Sequence, residues 1–178
     1  MQSTMPKSLS RRQFLRGNFR KNAESIRPPW SLAEGDFINA CSRCNECVDK
    51  CPENIIVKGD GGYPVINFDL GGCTFCQECV VACDEGALTI NNTEQLPWNI
   101  TADISSECIS LQGVMCRSCS DSCEEEAISF RHQLGGISQP EIESKSCTGC
   151  GYCVVTCPVQ AIKISENKIH EEYDYEHN

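Results

Sequence analysis

The stretch Cys41-Ser42-Arg43-Cys44-Asn45-Glu46-Cys47-Val48-Asp49-Lys50-Cys51-Pro52 decides how the rest of the chain is read. Its cysteines are spaced C-x2-C-x2-C-x3-C. The same spacing returns at Cys73, Cys76, Cys79 and Cys83, followed by Asp84. It returns again at Cys147, Cys150, Cys153 and Cys157, followed by Pro158. A further group, Cys108, Cys116, Cys119 and Cys123, precedes Glu124 and has a first gap of seven residues instead of two. These runs hold all 16 cysteines of the 178-residue chain.

Three chemistries compete for so many thiols. Disulfides need an oxidising compartment and therefore an export signal. No complete signal is legible, nor an apolar run of about 18 residues that could span a membrane. Structural zinc typically uses cysteine pairs that are well separated from each other. Runs of four suit an iron–sulfur cube, whose four iron corners each take one soft thiolate. Three cysteines two residues apart on a tight loop reach three corners. The fourth, three residues on, is expected to start a helical turn and point away. No C-x-x-C-H occurs, so c-type haem attachment is not indicated. Leu, Ile, Val and Phe are sparse, and aromatic residues make up only 7%. A chain with so little apolar bulk needs metal or covalent staples.

The sequence repeats on itself. A shift of 72 residues carries Cys44, Cys47 and Cys51 onto Cys116, Cys119 and Cys123, and a shift of 74 carries the second run onto the last. Gly61-Gly62 and Gly135-Gly136 sit between the runs of each half and read as hairpin turns. Four residues after each fourth cysteine stands Ile55, Ala87, Ala127 or Ala161, and then Ile56, Leu88, Ile128 or Ile162. Val57, Ile90, Phe130 and Ile164 follow, with polar residues alternating in three of the four segments. This period of two predicts short strands whose inward faces wrap the metal sites, which in so small a unit are also the core.

The pattern resembles a tandem pair of bacterial ferredoxin modules over roughly residues 36–166. The resemblance implies an α+β fold, each module holding a pair of short β-hairpins and two short helices around two [4Fe–4S] clusters. In that family the fourth cysteine of a run serves the neighbouring cluster. Carried over, Cys41, Cys44, Cys47 and Cys83 share one cluster, and Cys73, Cys76, Cys79 and Cys51 the next. Cys116, Cys119 and Cys157 go with Cys108, and Cys147, Cys150 and Cys153 with Cys123. Four clusters are expected. The five extra residues before Cys116 are expected to loosen the Cys108 cluster, leaving it labile or as a [3Fe–4S] centre in isolated protein. Asp84 and Glu124, where proline is usual, read either as tolerated surface residues or as charge that lowers a cluster potential.

Around these modules we expect a basic arm at 1–30, modules at 31–92 and 108–169, a connector at 93–107 and an acidic tail at 170–178. Pro97 and Trp98 suggest that the connector packs against the modules. The net charge is −10. Yet residues 1–28 carry Lys7, Arg11, Arg12, Arg16, Arg20, Lys21 and Arg27 against the single acid Glu24. The acidic remainder argues against nucleic-acid binding and fits docking on a basic protein surface. Ser10-Arg11-Arg12-Gln13-Phe14-Leu15-Arg16 is similar to a twin-arginine export motif, but the polar Gly17-Asn18-Phe19-Arg20-Lys21-Asn22 follows where an apolar region is needed. The expectation is a cytoplasmic protein whose arm touches an acidic partner or a membrane surface. His132, His170 and His177 are scattered and read as surface residues.

Taken together, these features resemble the ferredoxin-type NapF family of bacterial periplasmic nitrate reductase systems. The match rests on Ser10-Arg11-Arg12 with Leu15, Gly17, Arg20 and Lys21, on Ile26-Arg27-Pro28-Pro29-Trp30, and on Gly61-Gly62-Tyr63-Pro64. The irregular third run with Arg117, Asp121 and Ser122 adds to it. The resemblance implies an accessory protein that matures the catalytic molybdenum subunit of nitrate reductase before export, by supplying electrons or assisting its cluster. A general electron carrier, with a membrane-associated donor as a possible partner, is the alternative. A subunit of a larger oxidoreductase is a third reading. An enzyme is not expected, since no nucleophile–base set or nucleotide loop is legible.

Overall fold

The computed structural model describes residues 25–92, 95–133 and 137–166. The basic arm up to residue 24, the Gly135-Gly136 turn, His170, His177 and the acidic tail lie outside the described residues.

Each cysteine run folds the same way. The third cysteine sits in a single helical turn: α2 (Glu46–Asp49), α3 (Glu78–Val81), α4 (Ser118–Asp121) or α5 (Tyr152–Val155). A longer helix, α1 (Glu34–Ala40), precedes the first run. The helical turn thus falls one cysteine earlier than expected. Three residues separate the third and fourth cysteines, which is close to one turn at 3.6 residues. The fourth cysteine therefore emerges past the helix end.

Three residues after each fourth cysteine the backbone is left-handed, at Asn54, Gly86, Glu126 and Gln160. Each of these residues donates its N–H to the carbonyl of the fourth cysteine, at 3.1 to 3.2 Å. This reversal sends the chain back under the metal sites. The next two residues are buried in every case: Ile55 and Ile56, Ala87 and Leu88, Ala127 and Ile128, Ala161 and Ile162.

Two hairpins follow from these returns. β1 (Ile56–Lys58) pairs antiparallel with β2 (Pro64–Ile66), with Ile56 opposite Ile66. Gly61 and Gly62, at φ of 66° and 82°, make the connecting turn, as the Gly-Gly pair predicts. β4 (Ile128–His132) pairs antiparallel with β5 (Ser138–Ile142), with Ile128 opposite Ile142.

The returns after the second and last runs pair differently. In the second half, β3 (Ile100–Ile104) pairs with β6 (Ile162–Glu166), and Ser105 N–H donates to the Ala161 carbonyl at 2.8 Å. In the first half the partner is the segment around Ser31, which bridges Leu88, and Leu32 N–H donates to the Ala87 carbonyl at 3.0 Å. The segment expected to connect the halves therefore also supplies a strand to the second.

Two cores result, and cysteines belong to both. Phe37, Ile55, Ile56, Ala87 and Leu88 surround Cys47 and Cys79. Ala102, Ile128 and Ile162 surround Cys119 and Cys153. Pro28, Pro29 and Phe37 are fully buried at the head of the first half. Arg27 seals that end. Its guanidinium lies 4.9 Å above the Phe37 ring and pairs with Glu34 at 2.8 Å. The pairing holds the Glu34 carboxyl below its ordinary range, the Arg27 hydrogen bond being the main cause.

Phe37 has no exposed surface and sits where few other large side chains are available. Phe37→Ala should cost about 3–5 kcal/mol. The check is the denaturation midpoint of the iron-loaded protein, and a shift too small to measure would contradict this account of the core.

Candidate metal centres

The sixteen cysteines come together around four cavities, four to each. Cys41, Cys44, Cys47 and Cys83 line the first. Cys51, Cys73, Cys76 and Cys79 line the second. Cys123, Cys147, Cys150 and Cys153 line another, and Cys108, Cys116, Cys119 and Cys157 the last. In every set three cysteines come from one run and one from its neighbour. The exchange follows from the helical turn, which carries the fourth cysteine over to the adjacent cavity.

The cavities fit a cubic cluster better than one ion. Among the described residues no three cysteine, histidine or acidic side chains converge closely enough to hold a single metal ion. Four thiols spread around a cavity are the donor set that four iron corners need. The open space, mouths included, is about 340 to 360 Å³ in each, so the Cys108 cavity is not a collapsed version of the others. Apolar residues at the strand starts close the inner walls, such as Ile55 and Ile56 in the second and Ala161 and Ile162 in the last.

The loops around the second cysteine of each regular run are held in an unusual form. Arg43 and Asn45, Phe75 and Gln77, and Gly149 and Gly151 flank that cysteine, and all six have positive φ. Left-handed backbone costs a non-glycine residue about 1–2 kcal/mol. Such strain persists where the surroundings dictate it and clusters at functional sites. It bends the loop tightly enough for three cysteines to face one cavity. N–H groups also reach cysteine sulfur directly. Phe75 donates to Cys73 Sγ at 3.4 Å, Leu88 to Cys83 Sγ at 3.4 Å and Ala161 to Cys157 Sγ at 3.3 Å.

The irregular run solves the same problem another way. Arg117, beside Cys116, has φ of −137°, so the left-handed bracket is absent. The longer loop coils instead. Leu111 N–H donates to the Cys108 carbonyl at 3.1 Å and Val114 N–H to Ile109 at 3.0 Å. Ser110 pins it, being 1% exposed and donating its hydroxyl to the Ser138 carbonyl on β5 at 2.5 Å. A buried serine in an otherwise largely apolar loop gave no signal in the sequence.

Burial also sets the thiol chemistry. It pushes Cys79 and Cys153 up to about 12, and Cys47, Cys73 and Cys119 up to about 11, with neighbouring cysteines adding to the rise. Acidic side chains touch three cavities: Glu85 the first, Glu53 the second and Glu125 the one around Cys123. Asp84 and Glu124, singled out by sequence, are exposed and do not line these cavities.

Two repeated halves, each with two four-cysteine cavities in exchanged pairs, define a tandem dicluster ferredoxin. The 4Fe-4S dicluster domain matches residues 40–88 and, in a second form, residues 113–161. The second match begins after Cys108, although the fold returns that residue to the cavity. The chain is 45% identical over 174 residues to the ferredoxin-type protein NapF of Haemophilus influenzae, covering 92% of this chain and 98% of the relative. It is 45% identical over 153 residues to the protein of the same name from Escherichia coli, covering 86% and 92%. It is 33% identical over 151 residues to a methylamine utilization ferredoxin-type protein MauM of Methylobacillus flagellatus, covering 76% and 64%. The chain belongs to the NapF family of ferredoxin-type proteins.

Two outcomes test this description. Ser110→Ala should release the long loop and speed iron loss from the Cys108 cavity while sparing the other three. Iron release followed by electron paramagnetic resonance checks it, and uniform loss from all sites would contradict it. The second concerns pH. A thiol held above its ordinary value stays protonated near neutrality, whereas iron takes the thiolate. Assembly must therefore expel protons, and it becomes easier as pH rises toward the thiol values. Iron incorporation at limiting iron should increase from about pH 7 to about pH 9. A yield that falls over that range would refute the assignment.

Proposed function

We propose that each four-cysteine cavity holds one [4Fe–4S] cluster and that the chain is a cytoplasmic electron-supplying accessory protein, not an enzyme. Its partner on this reading is the precursor of the catalytic molybdenum subunit of periplasmic nitrate reductase. It acts before that subunit is exported, by donating electrons or assisting assembly of its cluster. The observation that carries the reading is the division of sixteen cysteines into four sets around four cavities. A cluster bound there supplies one-electron redox chemistry. The chain's own residues hold it, exclude water from its inner side, and donate N–H groups to its sulfur ligands.

Support for the partner comes from the NapF relatives, which span almost the whole chain. Among the described residues no helix is long and apolar enough to cross a membrane. The acidic character of the chain, net −10, favours a partner with a basic docking face. A second reading, a general carrier, is favoured by the MauM relatives, whose name attaches them to methylamine utilization.

Anaerobically purified protein should contain about four iron and four sulfide per site, about sixteen of each in total. Zinc without sulfide would end the cluster assignment. For the partner, affinity capture from cytoplasm should recover the molybdenum subunit, and deleting this protein should leave exported reductase present with reduced specific activity. Unchanged specific activity would leave only the general carrier.

A further inference from the structure

The two halves meet at the cysteines of their inner cavities. The N–H of Cys73 donates to the carbonyl of Cys150 at 2.7 Å. Cys73 lines the second cavity and Cys150 the one around Cys123, so the walls of two sites in different halves are one hydrogen bond apart.

The residues beside this bond permit a close approach. A Cβ on Gly72 would stand 2.5 Å from the Tyr152 ring, and one on Gly151 would stand 2.0 Å from the Phe68 ring. Each glycine receives an aromatic ring from the opposite half, and no side chain fits at either place. Trp98 latches the same junction. Its ring packs edge-on against Phe75, which lines the second cavity, with centroids 5.7 Å apart. Its Nε1–H donates at 2.7 Å to the carbonyl of Thr148, which lines the cavity around Cys123.

Within each half the two sites are also in contact. Cys47 and Cys79, one from each cavity, share the first core, and α2 packs on α3. Cys119 and Cys153 share the second core, and α4 packs on α5. A path of direct contacts thus runs from the Cys41 site through the Cys51 and Cys123 sites to the Cys108 site.

We propose that Gly72-Cys73 and Cys150-Gly151, latched by Trp98, form an electron-transfer junction, so that the four sites work as one line and not as two independent pairs. This deepens the proposed function and rests on its assignment of a cluster to each cavity. An electron crossing the junction leaves one site oxidised by one electron and the next reduced by one. No bond forms or breaks. The electron comes from a one-electron reductant and leaves to a one-electron acceptor protein.

The experiment uses full-length, iron-loaded protein reduced with dithionite and examined by electron paramagnetic resonance. The wild type should show spin–spin interaction extending across the halves as well as within them. Gly72→Val, with iron and sulfide unchanged, should lose the interaction between halves, with a several-fold fall in relaxation rate, and keep the interaction within them. Two results would overturn the junction. One is a wild-type spectrum equal to the sum of two independent pairs at full iron content. The other is wild-type interaction persisting in iron-replete Gly72→Val. Should that variant fail to load iron, the wild-type spectrum alone decides. Failure of the cluster assignment itself would appear separately, as missing iron and sulfide in the wild type.

Discussion

The exchange of each fourth cysteine between neighbouring cavities is the constraint on which the rest of this fold depends. No run of four can close a site on its own turn, because one helical turn carries its last cysteine to the adjacent cavity. Each half is therefore an obligate pair of runs. The strands are short, and Ile, Ala and Cys supply most of the buried side chains. At roughly 25 cal/mol per Å² of apolar surface, walls this thin stabilise little by themselves. Metal held across two runs closes chain loops that hydrophobic burial could not, which is how small metal-binding domains generally gain their stability.

Much of this was open to reading because cysteine spacing is a covalent rule that tolerates few alternatives. The duplication and the buried residues after each fourth cysteine follow from counting positions, and the α+β class from the family resemblance those positions carry. Even the wall residues Ile56, Leu88, Ile128 and Ile162 could be placed, since alternation needs only the start of a strand. What escaped has a physical reason in each case. Arg43, Asn45, Phe75 and Gln77 adopt left-handed backbone, and none of these identities signals it as glycine would. The tertiary demand for three cysteines on one cavity overrides local preference there. Ser110 is ordinary in composition and becomes a clip only because β5 passes beside it. The pairing of Ser31 with Leu88 is a long-range contact that no local pattern encodes. Trp98 was legible as packed, while its hydrogen bond to Thr148 was not.

The placement of charge differs along the line of sites. Glu85, Glu53 and Glu125 each line one of the first three cavities along it, though Arg43 shares the first. Among the described residues, no carboxylate lines the Cys108 cavity. It has instead the Ser118 hydroxyl, 3.7 Å from Cys116 Sγ, and Arg117 lies 5.8 Å over the ring of Phe130 in its wall. Nearby negative charge disfavours adding an electron, whereas hydrogen bonds to sulfur and nearby positive charge favour it.

The Cys108 end is also where the chain departs from the regular spacing, and the two facts belong together. The five added residues place Val114 and the 94%-exposed Met115 directly before Cys116. A regular run has no room there, since its first two cysteines are two residues apart. The insertion replaces a strained two-residue bracket with a longer loop, pins that loop through Ser110, and sets an apolar tip beside the one cavity that, among the described residues, no acid lines. In a chain whose net charge is −10, this site differs from the other three, among the described residues, in both its loop and the charge of its lining.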